Sequence, residues 1–93
     1  MLKTLPKKKA VRRPTEQARL ASAVHLVDME IKRATAKNPS FNSCHEGYAV
    51  ILEELDELKE EVWLKKSRRN PKRMKAEAVQ VAAMAIRFIV DLL

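Results

Sequence analysis

SCHEGYAVILEELDELKEEVWL, residues 43–64, is the stretch that decides the fold. Ser43 stands three residues before Glu46, the capping-box spacing. The hydroxyl can take the N–H of Glu46, while the Glu46 side chain returns to the N–H of Ser43. Beyond this start, Tyr48, Ile51, Leu52, Leu55, Leu58 and Val62 fall on one face at 100° per residue, which predicts an amphipathic helix to about Leu64. Trp63 lies at the margin of that face. The remaining surface is acidic: Glu46 to Glu61 carries seven acids.

Downstream, Lys65 to Asn70 is a polar connection. Asn70 as N-cap and Pro71 as first helical residue then open another helix, which reaches Leu93. From Ala76 onward that helix is apolar nearly all round, so it is expected to be buried on several sides. Upstream, Thr15 follows Pro14 and precedes Glu16, a cap and a favourable charge for a helix from about Thr15 to Lys37. Its Leu20, Val24, Val27 and Ile31 make a narrow stripe of the kind that packs along another helix. Asn38, Pro39 and Ser40 end it. Residues 1–14 combine lysines with two prolines and lack periodicity, so they are expected to form a basic, flexible arm ahead of a domain over 15–93.

The 93 residues contain one glycine, Gly47, and helix formers dominate. Neither β-hairpin turns nor Gly-rich phosphate loops can be built from this composition. The expected class is therefore all-α: a short three-helix chain. Three helices cannot easily surround the apolar third one, so a helix bundle completed by homodimerisation is the economical solution, with dimer and tetramer both open. Cys44 is the only cysteine, which precludes an intramolecular disulfide and makes a reduced, cytoplasmic setting the expectation. Adjacent residues on a helix point about 100° apart, so Cys44 and His45 do not form a thiol-imidazole pair. No run of about 18 apolar residues occurs, and Met1 to Arg13 lacks the apolar segment of a secretory signal, so no membrane association is expected.

Net charge is +7, but six of the bases precede Pro14. The rest is nearly neutral and segregated, with seven bases between Lys65 and Lys75 set against the acidic second helix. One acidic site and one basic rim is the arrangement this suggests.

Glu54, Glu57 and Glu61 share one stripe of the second helix at spacings of three and four residues. Like charges so placed repel unless a cation lies between them. On composition alone such a run is more often a solvated face. Glu77 shifts the balance, because a carboxylate entering the apolar third helix needs a partner. Antiparallel pairing of the two helices would bring Glu77 to Glu54 and Glu57, an oxygen-rich site suited to Mg²⁺, with Mn²⁺ as a substitute.

The segment Leu52-Glu53-Glu54-Leu55-Asp56-Glu57-Leu58, followed about twenty residues later by Glu77-Ala78-Val79-Gln80, resembles the E-E-x-x-E and E-x-x-D motifs of the MazG-like all-α nucleotide pyrophosphohydrolases. The resemblance covers roughly Phe41 to Leu93. It implies a hydrolase converting a nucleoside triphosphate and water to the monophosphate and pyrophosphate, with Mg²⁺ held by Glu54, Glu57 and Glu77. Gln80 stands where the family has aspartate and would be a neutral ligand or the holder of a metal-bound water. Glu53 is the candidate to orient or deprotonate water, beside Glu54 and Glu57. Lys65, Lys66, Arg68, Arg69 and Arg73, on the connection and the next helix start, are candidates to meet the substrate phosphates, and Arg87, on the third helix, is expected either to pair with an acid or to join them. The alternative is a non-catalytic helical dimer whose arm, residues 1–13, binds nucleic acid or an acidic protein.

Overall fold

The computed structural model describes residues 13–93. The basic arm expected over residues 1–14 therefore lies, apart from Arg13 and Pro14, outside the described residues. Three helices make up the body: α1 Glu16–Lys37, α2 Cys44–Val62 and α3 Pro71–Leu92, with a 3₁₀ turn Lys66–Arg68 between the last two. No strand occurs among the described residues. The class is all-α, as the composition predicts.

Each helix starts where its cap chemistry dictates. Thr15 Oγ1 accepts the N–H of Ala18 at 3.0 Å, Ser43 Oγ that of Glu46 at 3.1 Å, and Asn70 Oδ1 those of Lys72 and Arg73 at 3.0 and 3.3 Å. One detail of the second start differs from expectation. Glu46 Oε1 accepts from the N–H of Asn42 at 2.6 Å, not from Ser43, so the box closes one residue earlier. The end of α2 is sealed by Arg69, whose Nε donates to the carbonyls of Val62 and Leu64 at 3.0 and 3.2 Å.

α3 is the central element, packed against both α1 and α2, whereas α1 and α2 make no comparable contact with each other. Along the α2–α3 seam Arg73 meets Glu61, Glu77 meets Glu57 and Glu54, and Phe88 meets Gly47. Numbers that fall on one helix as they rise on the other define antiparallel pairing. Gly47 permits the close crossing: a Cβ there would lie 2.6 Å from Phe88 Cδ2 and 3.2 Å from Leu92 Cδ1. Gly47→Ala gains helix propensity but must displace a packed ring, and we expect a net loss of about 1–2 kcal/mol in a denaturant titration.

The core is small. Ala34, Ala83 and Met84 are buried, with Val27, Ile31, Phe41, Val50 and Ile51 packed around them. The Leu20–Val24 end of the α1 stripe does not reach it: these residues are 65% and 59% exposed, because that half of α1 has no helix beside it. α3 is likewise covered on two sides only, leaving Ile89, Val90 and Leu93 exposed. The expectation that its C-terminal part is buried on several sides is not met within one chain.

Arg87 is the exception to the apolar character of this interior. Only 4% exposed, it donates to the Pro39 carbonyl at 2.9 Å and to Asp91 Oδ2 at 3.3 Å. The N–H of Phe41 donates to the same Asp91 oxygen at 3.0 Å, and the Phe41 ring lies 5.3 Å from the guanidinium. The pair thus ties the end of α3 to the α1–α2 connection.

Candidate metal centre

Glu54 and Glu57 leave α2 on adjacent turns, and antiparallel pairing delivers Glu77 of α3 to the same place. One carboxylate oxygen from each lies within 4.8 Å of the others. Oxygens ligating one Mg²⁺ at about 2.1 Å stand roughly 3–4 Å apart, so the three groups would have to close by up to about 1–2 Å. Glu54 and Glu77 are half-buried and Glu57 is exposed, which gives the cluster a protected side and an open side.

The electrostatics are those of a site short of positive charge. Burial pushes the Glu54 carboxyl above its ordinary range, with Glu57, Glu77, Glu53 and Glu30 adding repulsion. Burial also raises Glu77, as do hydrogen bonding to Glu57 and the charges of Glu57 and Glu61, while Arg73 opposes them. Glu77 Oε2 is buried and has no hydrogen-bond partner, a costly state for a carboxylate oxygen. Oxygen donors with one orphan among them fit a hard divalent cation better than they fit each other.

The other sequence candidates are distributed around this centre. Glu53 is exposed on α2 and acts on Glu54 through its charge. Arg73 Nε lies 3.5 Å from Glu61 Oε2, which places a cation at the connection end of the acidic stripe. Lys65 and Lys66 are exposed at the 3₁₀ turn, with Arg68, while Arg69 is occupied in capping α2. Gln80, one turn beyond Glu77, is half-buried and lines a cleft between α1 and α3 together with Glu30. Arg87 is not brought to this centre. Ten residues of helix separate it from Glu77, about 15 Å, and its donors are taken by Pro39 and Asp91.

Glu30 of α1 belongs to neither acidic motif, yet its charge acts on Glu54. Its side chain is only 13% exposed, and both its oxygens are held by Arg33, with Nε to Oε1 at 2.9 Å. Arg33 accordingly holds the Glu30 carboxyl below its usual range, against burial, and Gln80 assists. A signal was present: Val27, Glu30, Ile31 and Ala34 share the inward stripe of α1, where a carboxylate is out of place.

Compared with known protein families, curated proteins and solved structures, the chain matches none. No helix among the described residues is long and apolar enough to cross a membrane.

Proposed function

We propose that the protein is a Mg²⁺-dependent nucleoside triphosphate pyrophosphohydrolase of the MazG-like kind, splitting a (d)NTP and water into the monophosphate and pyrophosphate. The observation that carries this reading is the convergence of Glu54, Glu57 and Glu77 around an unpartnered, buried carboxylate oxygen. The paired motifs on α2 and α3 support it from the sequence side.

Glu54, Glu57 and Glu77 would hold the metal, with the Gln80 carbonyl as a neutral oxygen one turn away. Bound there, Mg²⁺ supplies charge neutralisation of the phosphoryl oxygens and a lowered pKa for water. The chain's own contribution is positioning: Glu54 and Glu77 are fixed by the helix seam, and exposed Glu57 closes the open side. Glu53, exposed beside them on α2, would orient or deprotonate the attacking water. Arg73, paired to Glu61, and the exposed Lys65 and Lys66 supply cations at the connection end for the departing pyrophosphate.

A second copy of the chain completes the assembly in this proposal. The exposed apolar residues of α1 and α3 favour it, since they are contributed by helices whose inner faces already fill the small core.

The test is pyrophosphate release from a panel of ribo- and deoxynucleoside triphosphates with Mg²⁺, run beside Glu57→Ala. Release that depends on Mg²⁺ and falls at least 100-fold in the variant is expected. Equal release from both proteins removes catalysis and leaves a helical assembly with a basic arm.

A further inference from the structure

Trp63, the only tryptophan, stands at the C-terminal end of α2 and is 74% exposed. Val62 before it is half-buried, and one further residue of helix turns the side chain about 100° away. A large aromatic ring left open to solvent calls for an explanation, since burying it elsewhere would stabilise the fold. Lys59 Nζ lies over the ring at 5.8 Å from its centre. Beside the ring is a hollow of about 310 Å³ lined by Val62, Trp63 and Arg69. Arg69 is fixed there by the carbonyls of Val62 and Leu64, which its Nε bonds, and those two bonds do not use its terminal nitrogens.

The chain that follows Trp63 is the basic rim. Of the seven bases between Lys65 and Lys75, only Arg73 makes an ion pair among the described residues, with Glu61. Lys65, Lys66 and Arg68 are exposed directly after the tryptophan. More charge joins the body at the same end. Residues 26–33 of α1 line a cleft with residues 72–80 of α3, and Asn38 to Phe41 lie with Met84 and Arg87, so the numbers rise together and the two helices are parallel. α1 therefore starts at the connection end, where the sequence bearing Lys3 to Arg13 enters it.

An open indole with a fixed guanidinium beside it and unpaired bases in the next residues suits a polyanion that carries aromatic rings. A nucleic-acid duplex keeps its bases stacked inside and would leave Trp63 unused, and these bases sit on a connection, not along a helix that could enter a groove. An anionic membrane is a flat sheet of negative charge, against which Asp56 and Glu60, lining the hollow on the Lys59 side of Trp63, would be pressed. A single strand is narrow enough to lie on the Arg69 side, away from those acids. We propose that Trp63 and the connection Lys65–Arg69 form a binding surface for single-stranded nucleic acid, one base stacking on the indole beside Arg69 while Lys65, Lys66 and Arg68 meet the flanking phosphates. Every base has a π face, so the surface tolerates any sequence.

The experiment titrates the full chain with an oligothymidylate of about 12 nucleotides, the lone tryptophan serving as its own reporter. Quenching of the Trp63 emission is expected, with an affinity that falls steeply as salt rises. By polarisation of a labelled strand, Trp63→Ala should bind about tenfold more weakly and Trp63→Phe should recover most of the loss. Thermal melts of the three proteins should coincide, because the ring is exposed. Lys66→Glu combined with Arg68→Glu should weaken binding and flatten its salt dependence. Inorganic polyphosphate, a polyanion without bases, should leave the emission unquenched. If Trp63→Ala holds the strand as tightly as the native chain does, or if polyphosphate quenches equally, the contact is charge alone and the proposal fails. Equal affinity for a duplex of the same length, or an emission shift with phosphatidylglycerol vesicles and none with the strand, overturns it as well.

Discussion

Arg87→Met is expected to cost about 3–5 kcal/mol of folding stability, the range for removing one partner of a buried ion pair. Methionine matches much of the volume, so the loss is electrostatic: Asp91 stays in the interior with only the Phe41 N–H, and the Pro39 carbonyl loses its donor. For a domain of this size 1 kcal/mol corresponds to about 4–8 °C, so calorimetry should register the change as a large fall in Tm. The double variant Arg87→Met/Asp91→Leu should recover much of it, because it removes the stranded charge. If Arg87→Met alone unfolds at the native temperature, the pair is not the clamp described.

Glu77→Gln is expected to act in two opposite directions. Without metal it should raise stability by roughly 0.5–1 kcal/mol, since it replaces a carboxylate repelled by its neighbours, one of whose oxygens has no partner, with a neutral group. With Mg²⁺ it should abolish metal-induced stabilisation and lower pyrophosphate release by about 100-fold or more. The pH dependence separates the two. In the metal-free chain the Glu77 and Glu54 carboxyls are raised above the ordinary value of 4.5. Their contribution to stability is fully present below that value and is lost as pH climbs through the raised folded-state pKa. Metal binding runs the other way, because it needs ionised carboxylates and releases their protons. The Tm increment from Mg²⁺ should thus be larger at pH 8 than at pH 5 in the native chain and flat in Glu77→Gln. An equal increment in both proteins would take Glu77 out of the metal centre.

What could be read before the structure was whatever depends on neighbours in sequence. Thr15, Ser43 and Asn70 act within three residues, so the helix starts follow from local chemistry. The Glu54–Glu57–Glu77 cluster was legible because two helical periodicities and one short connection leave little freedom in register. Three features were not legible. Arg87 bonds a main-chain carbonyl 48 residues away, and a carbonyl carries no sequence signature. Glu30 comes close enough to act on Glu54 through its charge only because α1 lies against α3, a choice that its amphipathic stripe does not encode. The exposure of Leu20 and Val24 reflects which part of α1 finds a neighbour, and periodicity says which face is apolar without saying what covers it.

The arrangement in which α1 and α2 both lean on α3 favours one order of assembly over the others. Closing the short link between α2 and α3 costs little chain entropy, so this hairpin can form early. α1 must search across the whole intervening hairpin for its docking face. It is then latched by a guanidinium contact to the segment that follows it. The cleft beside Glu30 and Gln80 has one wall from α1 and one from α3, so an α2–α3 hairpin alone would not contain it.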